Sequence, residues 1–119
     1  MSAEIAATTV DRRDGVVIMK VEARNLDEDN TKRVHADIAA AVEQSPSVPF
    51  ILDLSNVKFL PSLTLGAMVR LGTDFRQRNQ RLLLASLQPT VKQVVTITRL
   101  DRIFEIHDTV DSALISVQG

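Results

Sequence analysis

Cysteine is missing from all 119 residues. That excludes disulfides, thiolate nucleophiles and cysteine-bound metal, so packing alone must hold the fold. Tryptophan and tyrosine are missing too, and phenylalanine occurs only four times. Flat platforms for stacking bases or sugars are therefore scarce. The two histidines, His35 and His107, have no second histidine at metal-ligand spacing, and no metal site is expected. Glycine is confined to Gly15, Gly66, Gly72 and Gly119, too scattered for a phosphate-cradling or dinucleotide loop. Charge of one sign is also in short supply. The 14 Lys and Arg nearly balance the 15 Asp and Glu, leaving a net charge of -1. No footprint for nucleic acid or an anionic membrane results. No apolar run approaches the roughly 20 residues of a membrane span, and MSAEIAATTV lacks the basic start and apolar core of a signal peptide. The expectation is a soluble cytoplasmic protein with no cofactor, no nucleic-acid partner and no direct membrane contact.

What remains is a patterned chain of one-domain length, residues 1–119, able to bury roughly two-thirds of its unfolded surface. EIAATTVDRRDGVVIMKVEA holds two β-prone stretches separated by Asp14-Gly15, a hairpin signal. In NLDEDNTKRVHADIAAAVEQ, Val34, Ile38, Ala41 and Val42 recur at helical spacing, behind an acidic start of Asp27, Glu28 and Asp29 that suits the helix dipole. FILDL has almost no polar alternation, as a strand covered on both faces requires. Leu65, Met68, Gly72 and Phe75 then mark a helix running to about Gln80, with Gly66 and Gly72 expected to admit close approach to the sheet. LLLASL predicts another buried strand, Pro89 starts a helix with Val91, Val94 and Val95 inward, RIFEI a short strand, and VDSALISV a last helix. The alternation defines an α/β sandwich with right-handed crossovers.

FLPSLTLG, between FILDL and the second helix, carries the one conspicuous polar residue, Ser62. No G-x-S-x-G elbow surrounds it, so a hydrolytic nucleophile is unsupported. As a serine at a helix start it suits an N-cap, with Thr64 able to take that role if the helix begins later. The Asp27, Glu28 and Asp29 cluster lacks the spaced ligands and central glycine of a calcium loop. Arg76, Arg78 and Arg81 fall where a helix carboxyl end favours cations without any ligand. Nothing here assembles an enzyme.

The run FILDLSNVKFLPSLTLGAMVRL resembles the signature stretch of STAS domains, the family named for sulfate transporters and anti-sigma factor antagonists. Leu52-Asp53-Leu54-Ser55 looks like the end of the family's central strand, and Val57 and Phe59 match the apolar positions after it. Ser62 falls at the phospho-acceptor position and Leu65-Gly66 at the start of the next helix. The later run LLLASLQPTVKQVVTITRLDRIFEIHDTVDSAL and the Leu-Asp turn in NLDEDN are similar to the family as well. The resemblance implies a SpoIIAA-like STAS fold, with a mixed sheet of four to five strands and about four helices.

It further implies a non-enzymatic domain of the bacterial antagonist type. In such partner-switching circuits a serine kinase that doubles as an anti-sigma factor binds the unmodified domain, and phosphorylation of the acceptor serine breaks the contact. On this reading Ser62 is the phosphorylation site, and Asp27, Pro61, Ser62, Leu63 and Thr64 bind an anti-sigma factor or serine kinase protein. The alternative is an unphosphorylated scaffold subunit of a stressosome-like or transport complex. The acceptor segment departs from the family pattern of aspartate, serine, serine or threonine, glycine, reading Pro61, Ser62, Leu63, Thr64. Arg99 likewise stands where the family has a glycine before the last strand.

Overall fold

A computed structural model describes residues 6–118. Glu4 and Ile5, placed by the sequence in the first β-prone stretch, lie outside the described residues. Asp14 and Gly15 turn the chain between β1 (Thr8–Arg13) and β2 (Val16–Val21). Both take left-handed dihedrals, with φ of 52° and 76°, the requirement of a tight two-residue hairpin. The chain continues through α1 (Glu28–Gln44), β3 (Phe50–Asp53), α2 (Ser62–Gln77), β4 (Leu82–Ala85) and α3 (Pro89–Ile97). A 3-10 turn (Leu100–Arg102), β5 (Glu105–His107) and α4 (Val110–Gln118) complete it. The five strands lie in sequence order; β1 is antiparallel to β2 and all other pairs are parallel.

The strand order accounts for the lack of polar alternation in FILDL and LLLA. β3 and β4 lie inside the sheet, and successive side chains enter different cores. Phe50, Leu52, Leu82 and Leu84 pack with Val34, Ile38, Met68, Phe75, Val91 and Val95 from α1, α2 and α3. Ile51, Leu83 and Ala85 point the other way, against Ala113 and Leu114 of α4. Phe50 and Phe75 meet edge to face at 5.4 Å between centroids.

Three boundaries differ from the sequence reading, each for a backbone reason. α2 stops at Gln77 rather than near Gln80 because Asn79 turns left-handed at φ 55°. The buried Gln80 side chain instead donates to the carbonyls of Ser45 and Val48, at 3.2 and 2.8 Å. β4 ends before Ser86, whose φ is 62°. In RIFEI, the amides of Ile103 and Phe104 bond back to the Leu100 carbonyl at 2.9 and 3.0 Å. This closes a turn, and pairing with β4 starts only at Glu105. Arg99 enters that turn at φ 64°, the left-handed conformation that a glycine accepts without steric cost.

The two helical glycines have opposite surroundings. A β-carbon on Gly72 would clash with Ile103 Cγ2 and lie 3.1 Å from the buried Phe104 ring, whereas one on Gly66 would meet nothing within 4 Å. Close approach therefore belongs to Gly72, and it is to the turn before β5; Gly66 does not share it. Gly72→Ala is expected to destabilise the fold by ~1–3 kcal/mol through overpacking. Gly66→Ala is expected to stabilise it by up to ~1 kcal/mol through helix propensity. Urea denaturation of the two variants checks both signs.

At the edge of the sheet, the Arg81 guanidinium donates to both Glu105 oxygens, at 2.9 and 2.6 Å. That hydrogen bond holds the Glu105 carboxyl below its ordinary value. A lowered carboxylate pKa gives stability that is present above the ordinary carboxylate range and lost as pH falls through the folded-state value. Both side chains are over two-fifths exposed, so Glu105→Gln should cost less than ~1 kcal/mol near neutral pH. The difference should vanish on acidification, as denaturation curves at neutral and acid pH will test.

Candidate functional site

The segment from Leu54 to Pro61 leaves the C-terminal end of β3 and is pinned from both sides. The Leu54 amide donates to Ala85 O at 3.0 Å and the Lys58 amide to Arg24 O at 2.9 Å. Phe59 forms a parallel bridge with Asn25. From the other side, Gln88 Nε2 donates to Ser55 O at 2.7 Å and the Thr90 hydroxyl to Lys58 O at 3.1 Å. Leu54, Val57 and Leu60 fill the core beneath. The turn that presents Ser62 is thus fixed between the entry to α1 and the start of α3.

Pro61, not Ser62, is the N-cap of α2, at φ -64° and ψ 159° with no side-chain capping bond. Ser62 is the first helical residue, exposed, and its hydroxyl has no hydrogen-bond partner among the described residues. The expectation that Ser62 or Thr64 caps this helix is therefore corrected. A residue already inside the helix points its hydroxyl away from the free amides it would have to cap. Thr64 lies further in still and is buried, 3% exposed. Its hydroxyl donates to Leu26 O at 2.7 Å and lies 3.2 Å from the Thr31 hydroxyl, which donates to the same carbonyl at 3.1 Å.

Asp27 follows Leu26 directly and caps α1, its carboxylate accepting from the Asn30 amide at 2.8 Å. The Thr64 to Leu26 bond therefore sets the opening of α2 beside that of α1, and with them Ser62 and Asp27. Leu63 is 57% exposed and Phe59 59% exposed, so two large apolar side chains flank the serine. Of the residues expected to touch a partner, Asp27, Ser62 and Leu63 lie open to solvent and Pro61 partly so, while Thr64 faces inward. Phe59 and Thr31 were not expected at the site from sequence. Phe59 is bridged to the distant Asn25, and Thr31 acquires its role from a residue 33 positions away; neither has a local sequence signal. The starts of the two helices also differ electrostatically. α1 begins with Asp27, Glu28 and Asp29, whereas the first turn of α2 contains no acidic residue. No group of three or more His, Cys, Asp or Glu side chains suited to a metal ion occurs among the described residues, and no described helix is long and apolar enough to cross a membrane.

A mixed five-stranded sheet, three helices on one face, one on the other, and an exposed serine opening the second helix define a small α/β domain with a surface site at the C-terminal edge of its parallel strands. Residues 7–113 match the STAS domain family, and the chain belongs to it. It is similar to a candidate anti-sigma factor antagonist of Thermotoga neapolitana, 38% identical over 69 residues, which span 58% of this chain and 61% of that protein. A second candidate anti-sigma factor antagonist, BtrV of Bordetella bronchiseptica, is 26% identical over 88% of this chain and 89% of its own. The crystal structure of a candidate anti-sigma factor antagonist from Thermotoga maritima superposes with a TM-score of 0.83, covering 94% of this chain and 95% of that one at 24% identity. The SpoIIAA-like architecture expected from the resemblance is therefore the observed one.

The geometry separates the roles of three site residues by their effect on stability. Ser62→Ala is expected to change it by less than ~0.5 kcal/mol, because the side chain caps nothing. Asp27→Ala should cost ~1 kcal/mol as a lost N-cap. Thr64→Val should cost ~1 kcal/mol by removing one of two hydroxyl donors to a buried carbonyl, with Thr64→Ser retaining much of that bond. Equilibrium denaturation of the four variants is the check.

Proposed function

We propose that this chain is a non-enzymatic switch in a bacterial partner-switching circuit: a cytoplasmic anti-sigma factor antagonist controlled by phosphorylation of Ser62. The observation that carries this reading is the state of the α2 start. Ser62 is exposed and unengaged on a helix end that has neither a side-chain cap nor a carboxylate in its first turn. Exposed Phe59 and Leu63 flank it as an apolar contact surface. An anti-sigma factor or serine kinase protein docks there, across Pro61, Ser62, Leu63 and the adjacent Asp27, with Thr64 holding the surface in shape from below. A phosphate adds ~1.5–2 negative charges. Free amides at the helix start stabilise that charge in the separated domain, whereas burial in a docked apolar interface leaves it unpaired. Association is thus controlled with no change of fold. The names of the relatives support the same role.

A scaffold subunit of a stressosome-like or transport complex is the second reading, and Pro61 and Leu63 favour it, because they replace the usual polar frame of the acceptor. Incubation with ATP and lysate of the source cells, followed by phosphosite mapping, should find stoichiometric phosphate on Ser62. Measured against the kinase so identified, Ser62→Asp should weaken binding at least about tenfold, while Ser62→Ala retains it. Absence of modification together with binding indifferent to Ser62→Asp would establish the scaffold reading instead.

A further inference from the structure

α1 and α2 share one face of the sheet, yet a groove of about 460 Å³ opens between them. Lys32, His35 and Ala36 of α1 form one wall and Leu63, Ala67 and Arg70 of α2 the other. Beneath it a slot of about 50 Å³ runs down between Val34, Ile38, Met68 and Leu71 to Leu52 of the sheet. Groove and slot share Thr31, His35 and Ala67, so they form one continuous cleft. We infer that this cleft is a binding site for a small straight-chain carboxylate, its tail in the slot and its head at the rim beside Arg70.

The tail is assigned by polarity and size. The slot walls are mainly aliphatic, its Thr31 and Thr64 hydroxyls both donate to Leu26 O, and no buried side-chain nitrogen or oxygen lacks a partner among the described residues, so the slot offers water little to bind. An apolar void forfeits dispersion contacts that a hydrocarbon chain restores. The slot is far smaller than the ~150 Å³ that admits benzene, which selects an unbranched chain end over a ring. The groove above it falls within the ~300–1,000 Å³ of small-molecule sites. The head is assigned by charge. Glu28 is engaged by Lys32 at 3.4 Å, while Arg70 and His35 have neither an ion pair nor a hydrogen bond among the described residues. Asp74, one turn beyond Arg70, also lines the groove and also lacks an ion pair among the described residues, so the carboxylate head is assigned to the end of the groove where His35 adjoins Arg70. Ala67 lines both groove and slot, so a longer side chain there would enter the throat, and Ala36 lines the groove from the opposite wall. The cleft adjoins the proposed docking surface through Leu63, but the binding inferred here depends neither on modification of Ser62 nor on a protein partner.

The isotope-labelled chain can be titrated with octanoate, octanol and octyltrimethylammonium while its amide resonances and melting temperature are followed. Octanoate should give saturable shifts centred on His35, Ala67 and Arg70 and raise the melting temperature; octanol should bind more weakly and the cation not at all. Arg70→Gln should weaken octanoate binding about tenfold, the loss of one charge-assisted hydrogen bond. Ala67→Leu should abolish the saturable shifts in a folded chain, and Ala36→Leu serves from the opposite wall if that variant fails to fold. Equal response to all three probes, shifts spread beyond the two helices, or no saturable shift overturns the assignment. So does concentration-dependent dimerisation that octanoate does not affect and that protects the same amides, because a second copy would then cover the cleft.

Discussion

Everything in this domain depends on β3 being buried from both sides. Phe50 and Leu52 commit it to the three-helix face and Ile51 to α4, so the strand can neither shift register nor expose a face without opening a core. A strand held this firmly also directs the segment that leaves it. Leu54 continues the ladder by bonding to Ala85 O, and the chain must then turn at the C-terminal edge of the parallel strands, where open α/β sheets place their sites. Ser62 owes its position to that constraint before any chemistry of its own.

A second constraint converts position into geometry. The turn could present Ser62 at many angles if α2 were free to pivot, but the Thr64 and Thr31 hydroxyls converge on Leu26 O. That carbonyl is one residue before the α1 cap, so the two helix starts move together. A β-branched hydroxyl thus supplies, from beneath, order that the exposed surface does not supply for itself. The same three residues line the slot between the helices, which places the cleft and the serine on elements that share one anchor.

Much of this was legible in the sequence because it is periodic. Val34, Ile38 and Ala41 on α1, Val91 and Val95 on α3, and the unbroken runs of β3 and β4 all announce their buried faces by spacing. Asp14-Gly15 announces its turn by dihedral preference. What escaped were features decided by contacts between distant residues. Nothing local says that Thr64 turns inward to Leu26, that Phe59 turns outward, or that Gly72 rather than Gly66 is the crowded glycine. The helix start illustrates the limit most clearly. Serine is a favoured N-cap, yet Pro61 occupies that position, because its fixed φ and extended ψ suit the residue before a first helical turn as well.

That substitution also bears on how the site works. An aspartate at position 61 would be placed to cap α2 and would set a carboxylate beside the serine. Pro61 does neither, so the α2 amides stay free and the first turn stays without negative charge. A phosphate on Ser62 would enter a helix end that no side chain already occupies, and it would meet no like charge from the preceding residue. Proline also offers a partner no side-chain polar contact beside the serine, so the proposed docking relies on the exposed apolar pair Phe59 and Leu63. On the proposed reading, proline in place of aspartate weakens polar recognition of this site while making a phosphate on Ser62 easier to hold. Within that proposal, the altered frame shifts specificity from charge to shape and leaves the serine exposed at an uncapped helix start.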